Sequence, residues 1–201
     1  MLALVVMAGW WWTSPVFHSA GVGNGIACPL PPQVNAGDEP LQTELPQSMA
    51  PFALKAATLA PLAGFSVDAR VLSREDYRMD ASALLSPTDL ALGWKRMSEP
   101  GVLSQLNISQ SNRWYFYRWD NEPPLPPAEI ARSSANMHLI PSTDAVGKAL
   151  AHISKNERVR IDGWLVEAQM PDGGRWRSST TREDTGASSC EVVYVCAITK
   201  L

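Results

Sequence analysis

Cysteine and histidine are scarce in this chain, and so is any excess of charge of one sign. Its 201 residues include three cysteines (Cys28, Cys190, Cys196) and three histidines (His18, His138, His152). No C-x-x-C pair, H-x-x-x-H or H-x-x-E spacing occurs, so the usual zinc frameworks are excluded, and three cysteines do not make a disulfide scaffold. Cys190 and Cys196 fall on one extended stretch, about 20 Å apart at a strand's rise, too far to bridge; a bridge from Cys28 to either stays open. There is no G-x-S-x-G elbow, no S-x-x-K before a helix, no EF-hand loop and no P-loop, and neither a cofactor nor a metal is expected. The net charge is −3. Lys and Arg are missing from the first 54 residues, which carry only Asp38, Glu39 and Glu44, so the rest of the chain is balanced. A balanced domain has no basic footprint for nucleic acid; Arg175, Arg177 and Arg182 read as a solvated face.

The chain opens with MLALVVMAGWWW and is uncharged through Phe17. This segment falls short of the roughly 20 residues of a comfortable span and lacks the basic n-region and A-x-A site of a signal peptide. Three tryptophans in a row suit a membrane–water interface. Residues 1–17 therefore read as an apolar membrane anchor or signal-like segment, with an apolar core strand as the alternative. The absence of Lys and Arg before Lys55 agrees with export of the chain beyond the anchor, to the periplasmic side. Gly25-Ile26-Ala27-Cys28 resembles a lipobox, but Gly25 stands where Leu is usual and the apolar run ends well upstream, so lipidation is not expected. Residues 18–62 hold seven of the 16 prolines and read as a Pro/Gly-rich tether.

The globular part is expected over 63–201. Phe65, Val67, Ala69 and Val71 alternate with polar residues, as in a half-buried strand. Ser86, Pro87 and Asp89 form an S-x-x-D capping pattern, which predicts a helix with Leu90, Trp94 and Met97 on its inner face, ended by Pro100-Gly101. Val102–Leu106 adds another helical turn. In RWYFYRW, Trp114 and Phe116 share one side and Tyr115, Tyr117 and Trp119 the other. Arginine among aromatics can stack on sugars or bases, though a strand covered on both faces is the commoner role. DNEPPLPP is a stiff connector. NMHLI reads as a strand ended by Pro141. Ser142 or Thr143 then caps a helix facing inward with Val146, Ala149, Leu150 and Ile153. A hairpin follows, turning at Asp172-Gly173-Gly174, and CEVVYVCAI is the last strand. The expected fold is α+β: a curved antiparallel sheet or small β-barrel with two or three packed helices, behind the anchor and tether.

One constellation carries chemistry. Cys190 with His138, oriented by Asp184 or Glu183, has the parts of an activated thiolate. Around it Arg182, Asn136, Ser179 and Trp176 are candidate ligand-binding residues, because the loop STTRED resists burial without partners. The order His…Ser-Cys resembles L,D-transpeptidases, whose motif has Gly directly before the Cys and Arg shortly after. Here Ser189 precedes Cys190, and Glu191-Val192 follow. More broadly, the phrases SREDYRMD, LSPTDLALGW, SANMHLIP, GWLVEA and W-R-S-S…R-E-D-T-G…C-E-V-V-Y-V, from about Ala69 to Val195, resemble a family of uncharacterised bacterial membrane-anchored proteins. That resemblance implies one coherent domain behind an anchor, and no activity. The sequence thus points to a noncatalytic, membrane-tethered cell-envelope domain that binds a protein or small-molecule partner, with a cysteine-dependent hydrolase or transpeptidase as the alternative.

Overall fold

The computed structural model describes residues 28–79, 82–181 and 190–201. Residues 1–27, which contain the expected anchor segment and the start of the expected tether, lie outside the described residues, as do Arg182, Glu183 and Asp184. Among the described residues no helix is long and apolar enough to cross a membrane.

The fold is α+β and rich in strand. In chain order it runs β1 (Leu41–Thr43), β2 (Phe52–Ala53), β3 (Thr58–Asp76), β4 (Thr88–Gly93), a 3-10 turn (Lys95–Ser98), α1 (Pro100–Leu103), β5 (Asn107–Ser111) and β6 (Trp114–Arg118). Then come α2 (Pro127–Arg132), β7 (Ser134–Pro141), α3 (Asp144–Ala151), β8 (Arg158–Gln169), β9 (Arg175–Arg177) and β10 (Glu191–Lys200). β3 is long enough to pair with four strands, the short β1 and β2 among them. Its first part, to Arg70, pairs with β8, and its last part, from Arg70, pairs with β4. β4 then pairs with β7, β7 with β10 and β10 with β8. The pairings therefore form a circuit, β3–β4–β7–β10–β8–β3. The sheet is mixed rather than antiparallel, because β10 runs parallel to β7. A parallel pair needs a crossover, and α3 with β8 supplies it.

Alternation explains the core. Phe65, Val67 and Val71 of β3, Leu90 and Leu92 of β4, Met137 and Leu139 of β7, Ile161 and Leu165 of β8, and Val193 and Val195 of β10 share one buried cluster. Val146, Leu150 and Ile153 from α3 and its end join them. The expected cap is present: Thr143 Oγ1 accepts from Val146 N at 3.2 Å. At about 1.5–3 kcal/mol per buried aliphatic side chain, this face outweighs the surface ion pairs, each worth about 1 kcal/mol or less.

Three further expectations need correction. The helix over Ser86–Met97 is strand β4. Its Leu90 and Leu92 alternate into the core, and pairing on both sides overrides the local capping pattern. The RWYFYRW strand is covered on one face only. Tyr115 and Tyr117 pack inward against a second cluster, while Trp114 and Phe116 are 42% and 48% exposed. Finally, the part of the tether from Cys28 onward is laid on the sheet. Cys28 forms a disulfide with Cys196, Trp164 Nε1 donates to Pro29 O at 2.9 Å, and Gln33 Nε2 donates to Asp162 at 3.0 Å. Val34 is buried and donates its N–H to Ser66 Oγ, and β1 pairs with β3. Proline-rich composition predicted poor packing, but prolines on an edge that needs few donors fit against a sheet without cost.

Candidate functional site

On the face of β4 and β7 turned away from the core, alternation puts Asp89 beside His138 and Ala91 beside Asn136. A polar floor stands here because three separate elements cover it. The β3–β4 connection brings Tyr77, the β5–β6 turn brings Arg113, and β9 brings Trp176.

Asp89 is fully buried and sits between two basic groups. Arg113 Nη1 donates to its Oδ1 at 2.9 Å, and His138 Nδ1 lies 2.9 Å from its Oδ2, close but off the direction of a hydrogen bond. Asn136 Nδ2 donates to Arg113 O at 3.0 Å and more weakly to Asp89 at 3.4 Å. Its Oδ1 accepts from Gln110 Nε2 at 2.6 Å. The Arg113 guanidinium also donates to Ser86 O and lies 3.6 Å over the Tyr77 ring, with Trp176 on a further side at 5.5 Å. Trp176 tilts against the His138 ring, centroids 4.3 Å apart. Burial, then the negative Asp89, pushes the Tyr77 phenol up to about 12.

Arg113 reaches this place through an uncommon backbone. Asn112 and Arg113 have φ of 51° and 69°, the two positive values of the tight turn that closes a two-residue hairpin. Asn tolerates that region, whereas Arg there costs about 1–3 kcal/mol and persists only when its surroundings fix it. Asp89, Ser86 and Tyr77 do the fixing.

The candidates from sequence divide four ways. His138, Asn136 and Trp176 belong to this cluster. Cys190 is adjacent: Glu191 pairs with Met137 and Val192 with His138, so Cys190 stands level with Asn136 on the same face. Its diagonal offset from His138 is on the order of 7–8 Å between backbones. Ser179 is buried, its hydroxyl donates to Thr181 O and accepts from Thr181 N, and its N–H donates to Cys190 O at 3.0 Å, so it shapes the loop next to Cys190. Arg182 and Asp184 fall outside the described residues. Asp89, Tyr77 and Gln110 give no sign of a site in the sequence, where Asp89 reads as part of a helix cap. Arg113 reads there only as an arginine among aromatics, and its two-residue spacing between alternating segments is the signal of the turn it occupies.

The arrangement can hold His138 in one orientation and present donors beside an aromatic wall. Ser86 Oγ and Gln110 Oε1 are buried without a partner among the described residues, which is costly and typical of places where a ligand or water completes the bonding. No group of three His, Cys, Asp or Glu side chains is placed to hold a metal among the described residues. No family model matches this chain, and no curated protein or solved structure does either.

Proposed function

We propose that this is a noncatalytic, membrane-tethered domain of the cell envelope that binds a partner or ligand over the outer face of β4 and β7. One observation carries the reading: Tyr77, Arg113 and Trp176, from three distant elements, converge on a buried Asp89–His138 pair. A face meant only for packing would be apolar at these positions. We further read the strand circuit as a small Greek-key barrel. In five-stranded barrels of the OB type, the face of strands two and three and the loops joining one to two and four to five bind ligands. Here those parts are β4, β7, the connection bearing Tyr77 and the connection bearing Trp176. The Cys28–Cys196 disulfide supports an oxidising compartment, since such bonds persist outside the cytosol.

The test is hydrogen exchange on the full chain in phosphatidylcholine vesicles. Sacculus fragments are added in one arm, and native envelope lipid is added in another. Slower exchange at residues 112–113 and 175–177 in either arm is expected, and Arg113→Ala should abolish the difference. Identical exchange in all arms would overturn the proposal.

A cysteine-dependent hydrolase or transpeptidase is the second reading, favoured by the Asp89–His138 contact and the position of Cys190. Asp89 would then orient the imidazole, the role first given to Asp184. It predicts an iodoacetamide rate at Cys190 that levels off well below the ordinary thiol range near 8.5. A rate that tracks an ordinary thiol sinks it.

A further inference from the structure

The face that carries His138 continues past it. Ile140 follows two residues along β7 on the same side, and Pro87 stands level with it, two residues before Asp89. At a strand's rise both are about 7 Å from the Asp89–His138 pair. With Leu54, Lys55, Leu84 and Leu85 they line an open groove of about 400 Å³, the size of a small-molecule site. Leu54, Leu85 and Ile140 belong to the apolar cluster that also contains Cys196 and against which Cys28 packs, so the groove and Cys28 share one apolar layer. Leu84 is 87% exposed, and Met79 in the same connection is 98% exposed. Leu84 lines the groove and so extends its apolar lining into water, and a continuous exposed apolar surface marks an interaction site.

We propose that this groove takes an acyl chain of an anionic membrane lipid, with the headgroup at Lys55; the inference rests on the membrane-tethered reading above. Lys55 has no ion-pair partner among the described residues and is exposed at the groove, so its charge is available to a phosphate. The ten residues between Phe17 and Cys28 span at most about 35 Å, which keeps the Cys28 side of the domain within reach of the bilayer. An added peptide strand is a poor occupant, because β4 and β7 are each hydrogen-bonded on both edges and offer no free ladder.

The experiment uses the full chain in phosphatidylcholine vesicles doped with phosphatidylglycerol bearing a diazirine in its acyl chain. Adducts are mapped by mass spectrometry after irradiation. Adducts on peptides covering 54–56 and 84–87 are expected, alongside adducts on 1–17. Leu84→Asp, at an exposed position that does not threaten folding, should cut the groove adducts about tenfold and leave those on 1–17 unchanged. Lys55→Glu should cut them about fivefold. Adducts confined to 1–17 overturn the groove and leave the tether standing; adducts nowhere overturn both. Equal groove labelling by a diazirine phosphatidylcholine overturns the anionic headgroup. Slower exchange caused by sacculus fragments, without groove adducts, would leave the binding function standing and remove the lipid.

Discussion

Arg113 shows how much one side chain holds in place. It neutralises a carboxylate with no solvent exposure, fills the space between Tyr77 and Trp176, and does so from a left-handed backbone. Removing one partner of a buried ion pair leaves the other charge stranded, which costs about 3–5 kcal/mol. Arg113→Met should therefore destabilise the domain by about 3 kcal/mol in a denaturant melt, part of which Asp89→Asn in the same chain should restore. A loss under about 1 kcal/mol would mean that Asp89 is solvated and the network loose. Tyr77 gives the pH counterpart. Its phenol is pushed up to about 12 from 10.0, so the folded state holds the proton more tightly than the unfolded chain. That contribution is complete below pH 10 and is lost as pH rises through about 12. Tyr77→Phe should flatten the alkaline fall in stability over that window, and an ultraviolet titration should show one late phenol missing. An unchanged alkaline limb would place the phenol in water.

At the scale of elements, local signals were legible where chain neighbours decide the structure. Thr143 caps α3 as its sequence announces, and the Asp172-Gly173-Gly174 turn has its positive φ at Gly173. Signals failed where distant strands decide. Ser86 and Asp89 have the spacing of a helix cap, but Leu90 and Leu92 are claimed by the core through β3 and β7. The same competition conceals the site: His138, Asn136 and Trp176 are legible as chemistry in the sequence, whereas Asp89 and Arg113 fit helix-cap and strand patterns. Nothing local tells that a turn 24 residues further on will reach back to Asp89. Gly163 in β8 is another tertiary requirement. A Cβ there would sit 2.1 Å from Tyr194 O and 3.1 Å from Val195 Cα, beside the register shift between Val195 and Ala197. These are backbone atoms that cannot rotate away. Gly163→Ala should cost more than about 3 kcal/mol or prevent folding, whereas Gly101→Ala, with nothing within 4 Å of the new Cβ, should be almost silent in the same melt. Similar melts for the two variants would mean that β8 and β10 part readily there.

At the scale of the molecule, the question is what joins the segment from Cys28 to Thr43 to the domain. The contacts that do so among the described residues include the disulfide to Cys196, the Trp164–Pro29 hydrogen bond, the polar chain Gln33–Asp162–Ser66–Val34 and the β1–β3 pairing, with the exposed Lys95–Glu39 ion pair and the Gln42–Thr180 hydrogen bond beside them. The disulfide closes a loop of 168 residues, for which unfolded-chain entropy sets a ceiling of about 5 kcal/mol. The other contacts are individually weak hydrogen bonds, one exposed ion pair and one short strand pairing, so loss of the bridge should loosen this segment, a strap across the sheet, before the core. Cys28→Ala with Cys196→Ala, or reduction of the native chain, should lower the melting temperature by on the order of 10 °C. Amide exchange should speed up over 28–43 while Phe65, Leu92 and Val193 stay protected. Reductant should change nothing further in the double variant, which separates the bridge from side effects of the reagent. If the native chain melts at the same temperature with and without reductant, the strap is held by its noncovalent contacts alone. Support for an oxidising compartment would then rest on a bond the fold does not use.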